Sequence, residues 1–277
     1  MTPPAGVRAA HVLVHGGPSA RTQSDWVAEE VPVALVFNGI SHAVMMASPA
    51  DLHDFALGFG ITEGLLNHPD ELYGVEVSES AEGLSVHLSV ASACEWRLKE
   101  RRRTLAGRTG CGLCGTDSLA EVRRTLPSCP EVSFNASVFG RALQALAADQ
   151  AIQHLTGATH AAAWCAPSGE TLIVREDVGR HNALDKVAGA LLRSPWVGTS
   201  GFACITSRAS FEMVQKAAMM GAGALAAVSA PTAMAIDTAQ SCGLPLAGFL
   251  RGENFVAYTF PERLGLADAT PPLIHGH

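Results

Sequence analysis

The stretch Phe202-Ala203-Cys204-Ile205-Thr206-Ser207-Arg208-Ala209-Ser210-Phe211-Glu212-Met213-Val214-Gln215-Lys216 decides the fold class. Phe202 to Thr206 is a short apolar and β-branched run, the mark of a buried strand. Ala209 to Met220 then reads as a helix, with Ser207 or Ser210 and Glu212 placed to cap it. The same alternation extends in both directions. Upstream, Ser137 to Thr156 reads as one helix, His160 to Cys165 and Thr171 to Arg175 as strands, and Asn182 to Leu192 as a helix. Downstream, Leu225 to Val228 is a strand and Thr232 to Cys242 a helix stopped by Gly243. Leu246 to Leu250 and Phe255 to Tyr258 close the series. Strands alternating with helices imply a largely parallel sheet covered on both faces.

Ahead of this region the pattern is β-rich. Val31 to Val44 reads as two strands meeting at Asn38-Gly39. Ser48-Pro49 reads as the cap and first position of a helix that carries Leu52, Phe55, Ala56 and Phe59 on one face. Tyr73 to Val77 and Leu84 to Val90 alternate around Glu82-Gly83, as in a half-exposed hairpin. Residues 1–28 read as an N-terminal arm or leading strand, not a targeting peptide.

Composition narrows the function. The chain has 277 residues, 19 basic and 26 acidic, for a net charge of −7, and 48% of its residues are apolar. Disordered chains lack that apolar content, and general nucleic-acid binders are basic overall. The longest apolar stretch, Met219 to Val228, is too short to span a membrane. Seven cysteines, an odd number and mostly scattered, suggest a reducing cytoplasm rather than a disulfide scaffold.

The one close pair is Cys111 and Cys114, set in Gly110-Cys111-Gly112-Leu113-Cys114-Gly115. The glycines imply a mobile loop. Arg97, Lys99, Arg101, Arg102, Arg103 and Arg108 precede it, and nearby cations favour a thiolate. A structural zinc needs four ligands, and only one such pair is present, so no structural metal is expected. The zinc-deaminase signature of His-x-Glu and Pro-Cys-x-x-Cys is missing, with Gly110 where that proline would stand. Dithiol exchange and sulfur carriage both remain open. Each needs an ionisable thiol, a loop that reaches its partners, and a second thiol to resolve the first.

Three further stretches follow strands. Arg175 to Lys186 opens a helix and holds Glu176, Asp177, Arg180 and His181; it is either an anion site or a cap with ordinary ion pairs. Arg208 and the small residues Ser229 to Thr232 lie at the next two strand ends. Phe249-Leu250-Arg251-Gly252-Glu253-Asn254 connects the last two strands, where Phe249 can stack on a flat base and Arg251 can meet phosphate.

Glu30 to His42, Asp54 to Phe59, Glu100 to Gly115, Thr159 to Trp164, Glu176 to Lys186 and Ser207 to Lys216, taken in order, resemble the FdhD family of formate dehydrogenase accessory sulfurtransferases. The resemblance implies a three-layer α/β/α cytidine-deaminase-like core with a mixed sheet, plus a smaller N-terminal β-rich part with one helix. It divides the chain into an arm over 1–28, a β-rich part with the Cys-x-x-Cys loop over 29–130, and an α/β core with a cofactor crevice over 131–277. It further implies that a cysteine desulfurase loads a persulfide onto Cys111, with Cys114 assisting. The sulfur then passes to a molybdenum or tungsten bis(molybdopterin guanine dinucleotide) cofactor bound at Phe249 to Asn254 and destined for formate dehydrogenase. A homodimer is expected, without nucleic acid or membrane. A non-catalytic cofactor chaperone and a dithiol oxidoreductase are the competing readings.

Overall fold

A computed structural model describes residues 3–16, 19–105 and 125–266. The chain forms two compact units. One comprises Met1–Thr125, Ala148–Ala162 and Ile173–Val197, and the other Leu126–Ala147, Ala163–Leu172 and Gly198–His277. Both are discontinuous in sequence.

In the first unit, β1 (Val7–Gly16) and β2 (Ser19–Ala28) pair antiparallel, so the N-terminal arm is a hairpin. β3 (Val31–Phe37) and β4 (Ile40–Ala47) turn at Asn38 and Gly39, both at positive φ, as the Asn-Gly signal requires. With β5 (Leu72–Ser80) and β6 (Gly83–Val90) they make a sheet of order β4-β3-β6-β5, in which β3 and β6 run parallel. Helix α1 (Leu52–Thr62) packs Phe55 and Phe59 onto the apolar face of Val33, Leu35, Phe37, Val86 and Leu88. The basic stretch enters a second helix, α2 (Ser92–Leu105).

The expected helix Ser137 to Thr156 is two helices, α3 (Ser137–Ala148) and α4 (Ala151–Thr156). The first turn of α4 explains the break. Its Ile152 and Gln153 N–H groups donate to the two Glu176 carboxylate oxygens, each at 2.8 Å, so a distant residue caps a new helix. β7 (His160–Cys165), β8 (Thr171–Asp177) and α5 (Arg180–Leu192) follow. Next come β9 (Phe202–Ile205), α6 (Phe211–Met219), β10 (Leu225–Ala227), α7 (Ala233–Cys242), β11 (Leu246–Arg251) and β12 (Asn254–Thr259). The sheet order is β12-β11-β10-β9-β7-β8. β9, β10 and β11 run parallel and β12 antiparallel, so the sheet is mixed. In the second unit Phe134, Phe139, Phe202 and Phe255 pack ring against ring at 5.0–5.8 Å.

Two features fix the first unit. The first is the contact between α1 and α5. A Cβ on Gly58 would stand 1.7 Å from the Asp185 carbonyl oxygen, and one on Gly189 would stand 1.9 Å from that of Asp54. Only two glycines let these backbones touch. The second is a buried polar cluster. Lys186, fully buried, pairs with the equally buried Asp177 at 2.6 Å and donates to the Ser48 carbonyl at 3.1 Å. Asp177 also accepts from the Ser48 and Gly179 N–H groups and from Asn182. Ser48 is therefore not the cap of α1. That position falls to Asp51, in a left-handed conformation and without a side-chain cap bond. Asp54 is gripped by Arg175 at 2.7 Å and Arg193 at 2.8 Å, and Thr62 donates to Asp185 at 2.6 Å.

Gly58→Ala is expected to cost about 3 kcal/mol or more, because the new methyl meets backbone that cannot retreat. Thermal unfolding monitored by circular dichroism checks it. Lys186→Met is expected to cost about 3–5 kcal/mol by leaving Asp177 charged and buried, read as a lowered urea midpoint. An unchanged midpoint would mean that the pair contributes nothing net.

Candidate functional site

Cys111 and Cys114, and the mobile loop expected around them, lie outside the described residues. The basic stretch leading to them is partly visible. On α2, Arg97 is spent on the fold: it donates to the Leu65 carbonyl and pairs with Glu71. Burial works to raise the Glu71 carboxyl, but the Asn67 N–H and Arg97 together hold it below its usual value. Lys99 pairs with Glu95 one turn back. Arg97 and Lys99 of the basic stretch are thus each paired with a carboxylate.

The stretch Arg175 to Lys186 divides in the same way. Arg175, Glu176, Asp177, Asn182, Asp185 and Lys186 are engaged in the bonds that hold the first unit together. His160, Arg180 and His181 form the remaining polar group of this edge. The Arg180 Nε is buried with no hydrogen-bond partner. The His160 imidazole is held below its ordinary pKa by burial first, then by the Arg180 and His181 charges, against an opposing pull from Asp177.

In the second unit, β9, β10 and β11 end together on one edge, because they run parallel. Their connections continue the ladder past the strands. The Val228 N–H donates to the Ile205 carbonyl at 2.9 Å, Thr232 N–H to Ala209 at 3.0 Å, and Phe249 N–H to Ser229 at 3.2 Å. α6 and α7 both begin on this edge, at Ser210 and Thr232. The Thr232 hydroxyl accepts from the Ala235 N–H, whereas the Ser210 hydroxyl donates to Glu212 at 2.6 Å. Carboxyl ends of parallel strands with helix N-termini behind them are where open α/β sheets take anionic ligands.

Phe249 to Asn254 lies at the end of β11 and the turn into β12, beside these strand ends. The ladder between β11 and β12 is irregular between Gly248 and Arg251. Phe249 sits there at φ 52°, and its ring is 47% exposed. A left-handed phenylalanine costs about 1–2 kcal/mol, a strain that tends to gather at functional sites. Gly248 cannot carry a side chain, since a Cβ would lie 2.9 Å from Pro231 and 3.0 Å from Tyr258. The Arg251 guanidinium is exposed and anchored on the Val228 and Leu250 carbonyls. Gly252 and Glu253 form the turn, and Asn254 opens β12, facing Arg251. Leu250 is fully buried, so its side chain belongs to the core. Arg208 is exposed on the same edge. The six-residue run therefore offers Phe249, Arg251 and turn backbone to solvent together.

One pair of residues was not visible from the sequence. Cys129 and Cys242 stand with sulfurs 3.9 Å apart, both buried. They are 113 positions apart in a chain without spacing signals at either, so only the fold brings them together.

Comparison with known proteins places these sites in a family. The FdhD/NarQ family model matches residues 28–265. A protein of Variovorax paradoxus named Sulfur carrier protein FdhD is 58% identical over 241 residues, covering 87% of each chain. Proteins of the same name from Bordetella petrii and Cupriavidus necator are 53% and 55% identical, covering 93% and 87% of this chain and 94% and 84% of their own lengths. A crystal structure from Desulfotalea psychrophila, named as a formate dehydrogenase accessory protein, superposes with a TM-score of 0.74 at 20% identity, over 93% of this chain and 98% of that one. This last likeness concerns the fold, a mixed α/β architecture with several sheets. The family match covers both units, the Cys-x-x-Cys stretch and the Phe249 edge: the chain belongs to the FdhD/NarQ family.

Proposed function

We propose that this protein is a sulfur carrier for formate dehydrogenase. The observation that carries the reading is the Gly110-to-Gly115 dithiol in a chain whose relatives at 53–58% identity are named sulfur carriers. In this reading Cys111 is the carrying thiol. Its thiolate attacks the terminal sulfur of a persulfide on a cysteine desulfurase, forming the Cys111 S–S bond and releasing the desulfurase cysteine as thiolate. Onward transfer is attack of a nucleophilic acceptor on the outer sulfur: the acceptor–sulfur bond forms as the S–S bond breaks and Cys111 leaves as thiolate, with Cys114 assisting release.

The acceptor in this reading is the molybdenum or tungsten bis(molybdopterin guanine dinucleotide), which the protein binds as substrate. The second unit supports such a ligand. A guanine base needs a flat apolar partner, and Phe249 is exposed and strained outward. Its phosphates need N–H donors and cations, which the starts of α6 and α7, Arg208 and Arg251 supply. Glu253 stands at the turn next to Arg251 and opposes phosphate there, so Arg251 and the turn backbone carry the contact.

Incubation with a cysteine desulfurase and cysteine is expected to add the mass of one sulfur atom to the intact protein. Cys111→Ala should abolish that addition, and Cys114→Ala should reduce its onward transfer. A Cys111→Ala protein that still matures formate dehydrogenase would favour a non-catalytic chaperone. Separately, Phe249→Ala and Arg251→Ala should each weaken guanosine diphosphate binding about tenfold, roughly 1.4 kcal/mol, in titration calorimetry. Unchanged affinity in both would remove this edge from the binding site.

A further inference from the structure

We infer that Cys129 and Cys242 are a second redox-active dithiol, distinct from the Cys-x-x-Cys pair, that closes to a disulfide on exposure to peroxide. The geometry is nearly that of the product. The Cys129 N–H donates to the Cys242 carbonyl at 2.8 Å. Such a direct bond sets the two Cα atoms within the ~4.4–6.8 Å that disulfides span. The sulfurs need only approach from 3.9 Å to about 2.05 Å, a motion that small side-chain rotations provide.

Arg263 holds both sides of the pair in register. Its guanidinium donates to the carbonyl of Pro130, adjacent to Cys129, and at 2.8 Å to that of Gly243, adjacent to Cys242. A third bond reaches the Val132 carbonyl. The backbone around the two thiols is thus pinned by one cation before any covalent bond exists.

The two thiols also differ as a reacting pair should. Cys129 donates its S–H toward the Cys242 sulfur, whose own S–H turns to the Ala239 carbonyl at 3.7 Å, and the bond from Cys129 shifts Cys242 down against its burial. The same bond, then burial, pushes Cys129 up. Cys165 and Cys204 contrast with Cys242: burial raises the first to about 12 and the second well above its usual value, as expected of inert core thiols.

Burial also selects the oxidant. Cys129 is 6% and Cys242 4% exposed, which turns away a bulky disulfide and leaves a small peroxide as the oxidant of this proposal. The Cys242 thiolate attacks one peroxide oxygen, breaking the O–O bond and, with a proton from solvent, giving a sulfenic acid and water. The Cys129 thiol then attacks the Cys242 sulfur, forming S–S and releasing a second water. Two electrons pass from the thiols to the peroxide. The product would staple the segment that follows the Cys-x-x-Cys stretch in the chain to the end of α7.

The test is peptide mapping of the full-length protein after treatment with hydrogen peroxide. Cys111→Ser/Cys114→Ser is run beside the unsubstituted chain, so that the other pair cannot supply the signal. A peptide joining Cys129 to Cys242 and lighter by two hydrogens is expected, reversed by dithiothreitol. The oxidised protein should also unfold several degrees higher than the reduced one. Recovery of both residues as free, alkylated thiols, or of Cys242 as sulfinic acid with Cys129 untouched, would overturn the inference. In Cys129→Ser, Cys242 should instead persist as a sulfenic acid, trapped by dimedone added as the oxidised protein is unfolded. Should that variant not fold, the mapping of the unsubstituted chain decides alone.

Discussion

The first unit depends on an ion pair with no access to water. Lys186 on α5 and Asp177 at the end of β8 are both fully buried, and charges so placed are tolerated only when every remaining donor and acceptor is used. They are. Asp177 takes the N–H groups of Ser48 and Gly179 and the amide of Asn182, while Lys186 reaches the Ser48 carbonyl. Asn182 in turn donates to Met46. The pair therefore fastens the β8–α5 junction to the chain that leaves β4 for α1. Once α1 and α5 are placed, Gly58 and Gly189 let their backbones meet.

This explains what the sequence could and could not disclose. The Asn38-Gly39 turn and the Gly243 stop are local devices, and each stands where its residues predicted, while Thr232, read as the first helical residue, is the cap before it. The Ser48-Pro49 cap did not form: the Ser48 hydroxyl that would supply it accepts from the Val178 N–H, 130 positions away, and its N–H goes to the buried charge of Asp177. The break between α3 and α4 is likewise made by Glu176. In the N-terminal hairpin β1 alternates half-buried Ala10, Val12 and Val14 with exposed His11, Leu13 and His15, whereas β2 is polar and mostly exposed and gives no such alternation to read. Wherever a short-range signal competed with a buried charge, the charge won, as its larger desolvation penalty requires.

The candidate site divides along the same line. Stretches dense in charge looked alike in sequence but differ in the structure by burial. Most of Arg175 to Lys186 is committed to holding the first unit together, and Arg97 with it. By contrast, Phe249 and Arg251, a ring and a guanidinium suited to a base and a phosphate, are both exposed. The strain at Phe249 was not legible, since nothing in Gly248-Phe249-Leu250 announces a left-handed aromatic. It arises because the β11–β12 ladder slips between Gly248 and Arg251.

The thiols show why residue type alone does not assign chemistry. Five cysteines among the described residues are buried, and the sequence offered no reason to separate them. Cys165 and Cys204 lie in the strands of the sheet, where low polarity suppresses ionisation. Cys242 lies at the C-terminal end of α7, a position whose dipole disfavours an anion. Its thiol is nevertheless shifted down, because the hydrogen bond from Cys129 outweighs burial. A hydrogen bond at contact distance acts on the sulfur directly, while the helix-end partial charge is shared over a turn. Reactivity at this position is therefore a property of the pair, set by the fold that brings residues 129 and 242 together.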